Sequence, residues 1–239
     1  MLSKNQRKQI LQLSQKKHRL ASGLFVAEGE KVVSELITAN WEAKMLFTTD
    51  TDFLEIAENI GWEEMKKITH FKTPSPVLGV FKIPLKKEML NESVTIAVDG
   101  VSDPGNLGTL IRLCDWFGLS ELICSQTTVD CYNPKVIQAS MGSVVRVQCH
   151  YLADLGAYLE SLEKPIFGAT AKGNSIYKTT LPKQATYVFG SESHGISEVV
   201  SPYLSTSLSI PNFRAGDQAE SLNVATATAI VLSEIFRSR

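Results

Sequence analysis

The stretch that decides the fold is residues 94–112, which read VTIAVDGVSDPGNLGTLIR. It opens with β-branched and apolar residues, as buried strands do, and a polar loop then leads into a helical pattern over residues 105–117. The later sequence repeats this alternation, with strands predicted at 121–124, 144–147, 165–170, 186–190 and 206–210 and helices at 134–140, 152–162, 195–203 and 221–237. Strands that alternate with amphipathic helices predict an α/β domain with a mostly parallel sheet flanked by helices.

A smaller α/β pattern precedes this domain. Ser3 and Gln6 have the spacing of a capping box, which predicts a helix over residues 3–17. Further strands are predicted at 24–27, 44–48 and 77–83, and further helices at 31–39 and 52–60. The sequence therefore predicts a small domain over residues 1–85, a polar linker over 86–92 and the larger domain over 93–239.

The charges of the chain nearly cancel, but they are unevenly distributed. The 239 residues carry 24 basic and 25 acidic side chains, which taken alone argues weakly against a nucleic-acid partner. The first twenty residues, however, contain no acid and six basic residues: Lys4, Arg7, Lys8, Lys16, Lys17 and Arg19. This segment predicts a surface that contacts RNA phosphates, with a solvated helix face as the alternative.

Four cysteines in a chain of this length are too few for a disulfide framework. They have no CxxC spacing and no histidine at a ligand spacing, so no metal site is expected. The amino-terminal segment is charged rather than apolar, and no apolar run reaches the roughly 20 residues that a membrane span needs. These features predict a cytoplasmic protein with no membrane partner.

Three junctions between strands and helices are rich in polar residues and glycine, and ligands bind at this edge of parallel sheets. Several common motifs fail on spacing there. Gly105 and Gly108 form GxxG rather than a dinucleotide fingerprint, and Ile196 stands where a P-loop requires lysine. The hydrolase motif GxSxG is absent, and the adjacent Ser193 and His194 are not expected to face each other for proton transfer.

The three junctions contain, in order, DPGNLGTLIR (103–112), GSESHGIS (190–197) and IP (210–211) followed by SLNVA (221–225). Together they resemble motifs 1, 2 and 3 of the SpoU (TrmH) family of RNA 2'-O-ribose methyltransferases, in the SPOUT superfamily. The resemblance covers residues 94–239, and residues 133–142 resemble the segment between motifs 1 and 2. The amino-terminal unit, especially residues 19–30, is similar to the small ribosomal-protein-like (L30e-like) domain that binds RNA substrate in many members.

The resemblance implies transfer of a methyl group from S-adenosylmethionine to a ribose 2'-hydroxyl of tRNA or rRNA. It also implies a carboxy-terminal trefoil knot and a homodimer in which the helix at 221–237 takes part. The positions that match the family's cofactor-binding residues are Gly190, Ile210 and Leu222. The positions that match its catalytic residues are Arg112, Asn106, Glu192, Ser221 and Asn223.

The family's motif 1 arginine, here Arg112, is sometimes proposed as the general base. A guanidinium is effectively always protonated, so a cation that holds the neighbouring phosphate is the better role and the proton acceptor stays open. Two other functions also stay open, namely a non-catalytic RNA-binding protein and a methyltransferase that acts on a base or a protein. The loop at 212–220, with Phe213, Arg214 and Asp217, is longer than is typical of the family; it either contacts RNA or only lengthens the connection.

Overall fold

The structure is a computed structural model that describes residues 2–50, 53, 56–90, 92–214 and 221–237. The chain forms two compact units. Unit 1 contains Met1–Lys87 and Asp130–Val145, and unit 2 contains Glu88–Val129 and Arg146–Arg239. Over the described ranges, every helix is too short or too polar to cross a membrane.

The helices and strands are numbered here in chain order. They are α1 (Lys4–Gln12), α2 (Lys16–Ser22), β1 (Leu24–Glu28), α3 (Glu30–Thr38), β2 (Ala43–Thr48), β3 (Glu58–Asn59), α4 (Trp62–Met65), β4 (Val77–Lys82), β5 (Val94–Asp99), α5 (Pro104–Trp116), β6 (Glu121–Ser125), α6 (Pro134–Ser140), β7 (Gln148–Leu152), α7 (Leu155–Glu160), β8 (Ile166–Ser175), β9 (Ala185–Gly190), β10 (Thr206–Ser209) and α8 (Val224–Phe236). Short 3-10 turns occur at Ser143–Val145 and Ser201–Tyr203.

Unit 1 is built on a four-stranded sheet of order β1-β4-β2-β3. Strand β4 is antiparallel to both β1 and β2, whereas β2 and β3 are parallel. The predicted capping box is confirmed, because Ser3 Oγ accepts from the Gln6 amide at 3.1 Å and Gln6 Oε1 accepts from the Ser3 amide at 2.9 Å. The predicted helix at 3–17 is two helices, α1 and α2. In the break between them, the Arg19 guanidinium donates to the carbonyls of residues 13 and 14.

The helix predicted at 52–60 is wrong in its described part. Residues 58–59 form β3, which pairs with the end of β2, and the amide of Ile60 donates to the Thr48 carbonyl at 2.8 Å. Residues 51, 52, 54 and 55 lie outside the described residues. Pairing with a neighbouring strand overrides the local helical pattern here, as sheet contacts commonly do.

The segment at 130–145 belongs to unit 1, although the predicted boundary placed it in the larger domain. Ile137 of α6 and Val144 are buried in the same apolar cluster as Phe25 of β1. The Tyr132 ring lies 5.1 Å from the Phe25 ring, measured between centroids. The strand predicted at 144–147 is also wrong, because this apolar run packs into a core as a 3-10 turn and β7 begins only at residue 148.

Unit 2 is a six-stranded sheet of order β10-β8-β9-β5-β6-β7, in which every neighbouring pair is parallel. The predicted parallel α/β architecture is therefore confirmed. The helix predicted at 195–203 is wrong, because only 201–203 form a 3-10 turn. Strands β5 and β9 lie side by side, with Asp99 opposite Gly190, so their carboxyl ends bring two of the polar loops together.

Candidate active site

The loop after β5 is held by its own side chains. Asp103 caps α5, its carboxylate accepting from the amide of Asn106 at 2.9 Å, and Pro104 occupies the first helical turn. Both residues are typical of a helix start. Gly100 takes a positive φ of 72° and donates its amide to Ser125 Oγ at 2.8 Å. This geometry places Asn106 in the first turn of α5.

The loop after β9 closes on itself. Ser191 and Gly195 exchange two backbone hydrogen bonds, of 3.0 and 2.9 Å, and Gly195 has a positive φ of 68°. A Cβ atom on Gly190 would lie 2.0 Å from the backbone carbon of Gly195, so only glycine fits at the end of β9. The far end of the loop is tied to β5, because the buried Asp99 accepts from the Ser197 amide at 2.8 Å.

The loop before α8 ends in a cap. Asn223 Oδ1 accepts from the amides of Ala225 at 3.0 Å and Thr226 at 3.2 Å, which satisfies two donors at the start of α8. Ser221 and Leu222 precede the cap and are exposed. Asp217, in the longer loop, lies outside the described residues, whereas Phe213 is 86% exposed.

Three of the predicted catalytic residues form one hydrogen-bonded network. Asn223 Nδ2 donates to Asn106 Oδ1 at 2.8 Å, and Asn106 Nδ2 donates to Glu192 Oε1. The network joins residues that are 86 and 117 positions apart in sequence, one from each of the three loops. It is the point at which the three motifs meet.

Arg112 and Ser221 are not part of this network. Arg112 is exposed on α5, and within the described ranges it makes no hydrogen bond or ion pair. Its positive charge therefore remains available to a phosphate. Cys114, on the buried side of the same helix, is not a candidate nucleophile, because burial raises the pKa of its thiol to about 12.

The three predicted cofactor residues fit an adenosine-bearing ligand. Gly190 ends β9, where its missing side chain makes room for the backbone of Gly195 and Ile196, and Leu222 leaves about half of its apolar side chain open, at 50% exposure. Ile210 is half-buried directly after β10. All three positions lie at or beyond the carboxyl ends of β9 and β10 or directly before α8, and Leu222 and Ile210 supply the apolar surface that an adenosine site needs.

Two acids at this edge were missed as site residues. Asp99 anchors the second loop and Asp103 fixes the start of α5, and the signal for both was their position directly after a strand or before a helical pattern. The expectation for Ser193 and His194 was wrong, because Ser193 Oγ lies 2.7 Å from His194 Nδ1. No acid orients this exposed pair among the residues that the structure describes.

The predicted basic surface is largely present on unit 1. A shallow groove along α1 is lined by Lys4, Arg7, Lys8, Leu11, Gln12 and Gln15. Lys16 and Lys17 are also exposed. Arg19 is a correction, because it is only 1% exposed and both Nε and Nη2 donate to Asp130 Oδ2, at 2.8 and 2.6 Å. The part of the chain that the structure describes contains no cluster of histidine, cysteine or acidic residues that could hold a metal ion.

Comparison with known proteins is consistent with this geometry. A family model for the SpoU rRNA methylase family matches residues 93–233, and one for an MRM3-like substrate binding domain matches residues 4–79. The chain is 28% identical, over 96% of both chains, to the 23S rRNA (guanosine(2553)-2'-O)-methyltransferase RlmP of Bacillus subtilis (strain 168).

Several solved structures match nearly the whole chain. A protein of the TrmH family from Porphyromonas gingivalis has 38% sequence identity and a TM-score of 0.87, with 100% of both chains covered. An rRNA methyltransferase from Sinorhizobium meliloti, solved with AdoMet bound, has 27% identity and a TM-score of 0.84, covering 99% of this chain and 96% of that one. The similarity therefore extends over both units.

Proposed function

Because this chain belongs to the SpoU rRNA methylase family, we propose that it transfers a methyl group from S-adenosylmethionine to a ribose 2'-hydroxyl of ribosomal RNA. The observation that carries the proposal is the network of Asn106, Glu192 and Asn223, which joins the three motif loops at the ligand-binding edge of the sheet. Relatives that are named as rRNA 2'-O-methyltransferases favour ribosomal RNA over tRNA.

S-adenosylmethionine would be held by Gly190, Ile210 and Leu222, and when bound it supplies an electrophilic methyl group. Glycine at 190 lets the loop after β9 close tightly at the edge of the sheet, and the open side chain of Leu222 provides an apolar wall for the ligand. Burial of that side chain by the ligand would also favour binding, at roughly 25 cal/mol per Å² of apolar surface.

The protein's own residues have to position a weak nucleophile. Arg112 is an exposed cation with no partner within the described ranges, so it can hold the phosphate next to the target ribose. A nearby positive charge also favours the ionised form of the hydroxyl. Ser221, exposed before the cap of α8, can donate to or accept from the ribose.

RNA would also be bound by the basic groove on α1. Five of the six predicted cations are exposed, namely Lys4, Arg7, Lys8, Lys16 and Lys17, whereas Arg19 is excluded by its burial. Neutralised phosphates release counterions, so such a surface supplies affinity without sequence preference. The choice of nucleotide then has to come from contacts other than these.

Three further properties belong to the proposal. The carboxy-terminal trefoil knot is inferred from family membership. A homodimer that includes α8 is supported by apolar residues at the ends of α5 and α8, where Trp116 is 82% exposed and the next residue, Phe117, packs on Phe236 with ring centroids 5.3 Å apart. A cytoplasmic location stays a prediction made from the sequence.

The test is transfer of labelled methyl to RNA. The protein, labelled S-adenosylmethionine and rRNA from a strain that lacks the gene should yield one labelled ribose, which nuclease digestion and mass spectrometry would locate. RNA from the parent strain is the control, because its site is already methylated. Label on a base or on protein would contradict the proposal, and binding of RNA without transfer to any RNA would favour the non-catalytic alternative.

A further inference from the structure

The orientation of the Asn223 amide is fixed by the helix that it caps. The backbone N–H groups of Ala225 and Thr226 both donate to the side-chain amide atom that faces α8. This atom therefore has to be the oxygen, Oδ1. The NH₂ group must then face the other way, where it meets Asn106 at 2.8 Å. An amide that could otherwise flip therefore has one allowed orientation.

The orientation of the Asn223 amide also fixes the orientation of the Asn106 amide. The atom of Asn106 that faces the Asn223 NH₂ group has to be its oxygen, so the Asn106 NH₂ group faces Glu192. Glu192 Oε1 then has to accept. Hydrogen bonds are thus donated in one direction, from the backbone N–H groups at the start of α8 through Asn223 and Asn106 to the Glu192 carboxylate. We call these three side chains the amide relay.

The relay leaves one carboxylate oxygen unused. Glu192 is exposed at the carboxyl edge of the sheet, and its Oε2 has no hydrogen-bond partner among the described residues. The other candidate for taking up a proton nearby, His194, is held only by the neighbouring Ser193. Arg112 cannot accept a proton, because a guanidinium stays protonated.

We propose that Glu192 accepts the proton of the ribose 2'-hydroxyl, and that Asn106 and Asn223 are positioning residues that hold its carboxylate in place. The proposal rests on the methyl transfer proposed above. The O–H bond breaks and its proton goes to Glu192 Oε2, while the electron pair left on oxygen forms the new O–C bond. The electron pair of the broken C–S bond stays with the sulfur of the methyl donor, so charge and atoms balance.

The direct test replaces the carboxylate by its isostere. Glu192→Gln should lower the single-turnover rate of methyl transfer by about 100-fold or more, the usual contribution of a general base. The affinities for S-adenosylmethionine and for RNA, measured by calorimetry and filter binding, should stay within about three-fold of the parent. Glu198→Gln, an equal loss of charge at an exposed position further along the same loop, is the matched control and should transfer at the parent rate.

The relay is tested with Asn223→Ser. Serine also caps helices, so α8 and the melting temperature should be preserved, but serine lacks the NH₂ group that sets the direction of Asn106. The variant should lower kcat by about ten-fold with KM unchanged. In NMR spectra of ¹⁵N-labelled protein without ligands, it should also shift the side-chain amide signals of Asn106. Glu192→Gln should shift the same signals, whereas Glu198→Gln should not.

The outcomes separate this inference from the proposed function. A parent protein that binds RNA but methylates none contradicts the proposed function and the proton step with it. If the parent is active and Glu192→Gln is equally active, only the inference is overturned. The same holds if His194→Asn loses methyl transfer while Glu192→Gln keeps it, because His194 would then be the proton acceptor. If the side-chain amide signals of Asn106 shift in neither Asn223→Ser nor Glu192→Gln, the positioning role of Asn106 and Asn223 is overturned, whatever the activity.

Discussion

Gly190 leaves no room for a side chain at the end of β9. A Cβ atom there would lie 2.0 Å from the Gly195 backbone carbon and 2.2 Å from the Ile196 nitrogen, and backbone cannot move aside as a flexible side chain could. Gly190→Ala should therefore open the hydrogen bonds between Ser191 and Gly195. We expect a loss of about 1–3 kcal/mol in the free energy of unfolding, as for other overpacked sites. Affinity for S-adenosylmethionine should fall more than ten-fold by calorimetry.

The control for this prediction is Gly61→Ala. Gly61 has φ −68°, and a Cβ atom added to it would have no other atom within 4 Å, so the same substitution meets no obstacle. This variant should bind the cofactor as the parent does. If both variants bind the cofactor equally well, the tight closure of the loop after β9 does not shape the cofactor site.

Arg19 illustrates how a charge count misleads about a single residue. Its guanidinium donates to the carbonyls of Leu13 and Ser14 and to the Asp130 carboxylate, so it is part of the core of unit 1. Arg19→Ala would leave Asp130 without its cation, and breaking a buried pair in this way costs about 3–5 kcal/mol. Urea unfolding should reveal this loss, whereas the exposed Lys17→Ala should stay within about 0.5 kcal/mol of the parent. A stable Arg19→Ala protein with weakened RNA binding would contradict the structural role.

At the scale of elements, α1 and the loop after α4 are joined through His70. Its ring nitrogen Nε2 lies 3.0 Å from the Ile10 carbonyl, and burial lowers the pKa of the ring from 6.5. Below pH 6.5 the unfolded chain takes up a proton that the folded unit does not. The free energy of unfolding should therefore fall as the pH drops through 6.5, and the loss should be complete below the lowered pKa.

The measurement compares the parent with His70→Gln, which keeps a donor for Ile10 but does not titrate. Urea unfolding at several pH values should reveal a smaller loss below pH 6.5 in the variant. The pKa of the neighbouring Glu28 is raised from 4.5, chiefly by burial, so this residue increases the free energy of unfolding as the pH falls through its raised pKa. The effect is present in both proteins and does not change the comparison. Identical pH dependence in parent and variant would mean that His70 protonates equally easily in the folded and unfolded states.

The basic groove on α1 gives a prediction about salt. Replacing Lys4, Arg7 and Lys8 with glutamine should weaken RNA binding. The slope of log affinity against log salt concentration should become less negative by about 0.7–0.9 for each phosphate that is no longer neutralised. The same change at Lys31, Lys67 and Lys72, which are exposed elsewhere on unit 1, is the control. Equal effects in the two triple variants would place the RNA-binding surface outside the groove.

Elements with a strong local signal were predictable from sequence, and those defined by distant partners were not. The capping box at Ser3 and the start of α5 at Pro104 depend on side chains within three positions of one another. Residues 58–59 form a strand by pairing with β2, and the non-helical segment at 195–200 is tied to Asp99, about a hundred positions away in sequence. Local patterns cannot contain this information.

At the scale of the whole molecule, the motifs identified the site but not its internal connections. The resemblance of the three loops to the family's motifs selected Asn106, Glu192 and Asn223, and the parallel sheet brings these loops to one edge. The hydrogen bonds among these side chains depend on the register of β5 against β9 and on the cap of α8. Arg112 was selected by its motif in the same way, yet it stands apart from the network.

The segment at 130–145 yields the prediction that tests how the chain is divided. Ile137 lies inside the match to the methylase family model, at 93–233, but it is buried at 1% exposure in a cluster with Phe25 and Val33 of unit 1. Ile137→Ala should cost about 2–5 kcal/mol, because it leaves a cavity in that cluster. Native-state hydrogen exchange should locate the loss in β1 and β4 and leave the amides of β5 and β9 protected.

Leu159→Ala provides the opposite case. Leu159 is fully buried in an apolar cluster of unit 2 with Ala97 and Val188, so its truncation should reduce protection in β5 and β9 and spare β1 and β4. Two variants of similar chemistry, both within residues 93–233, would then loosen different units. If Ile137→Ala instead reduced protection in β5 and β9 alone, the segment would belong energetically to the methylase unit, and the boundary predicted from the sequence would be the correct one.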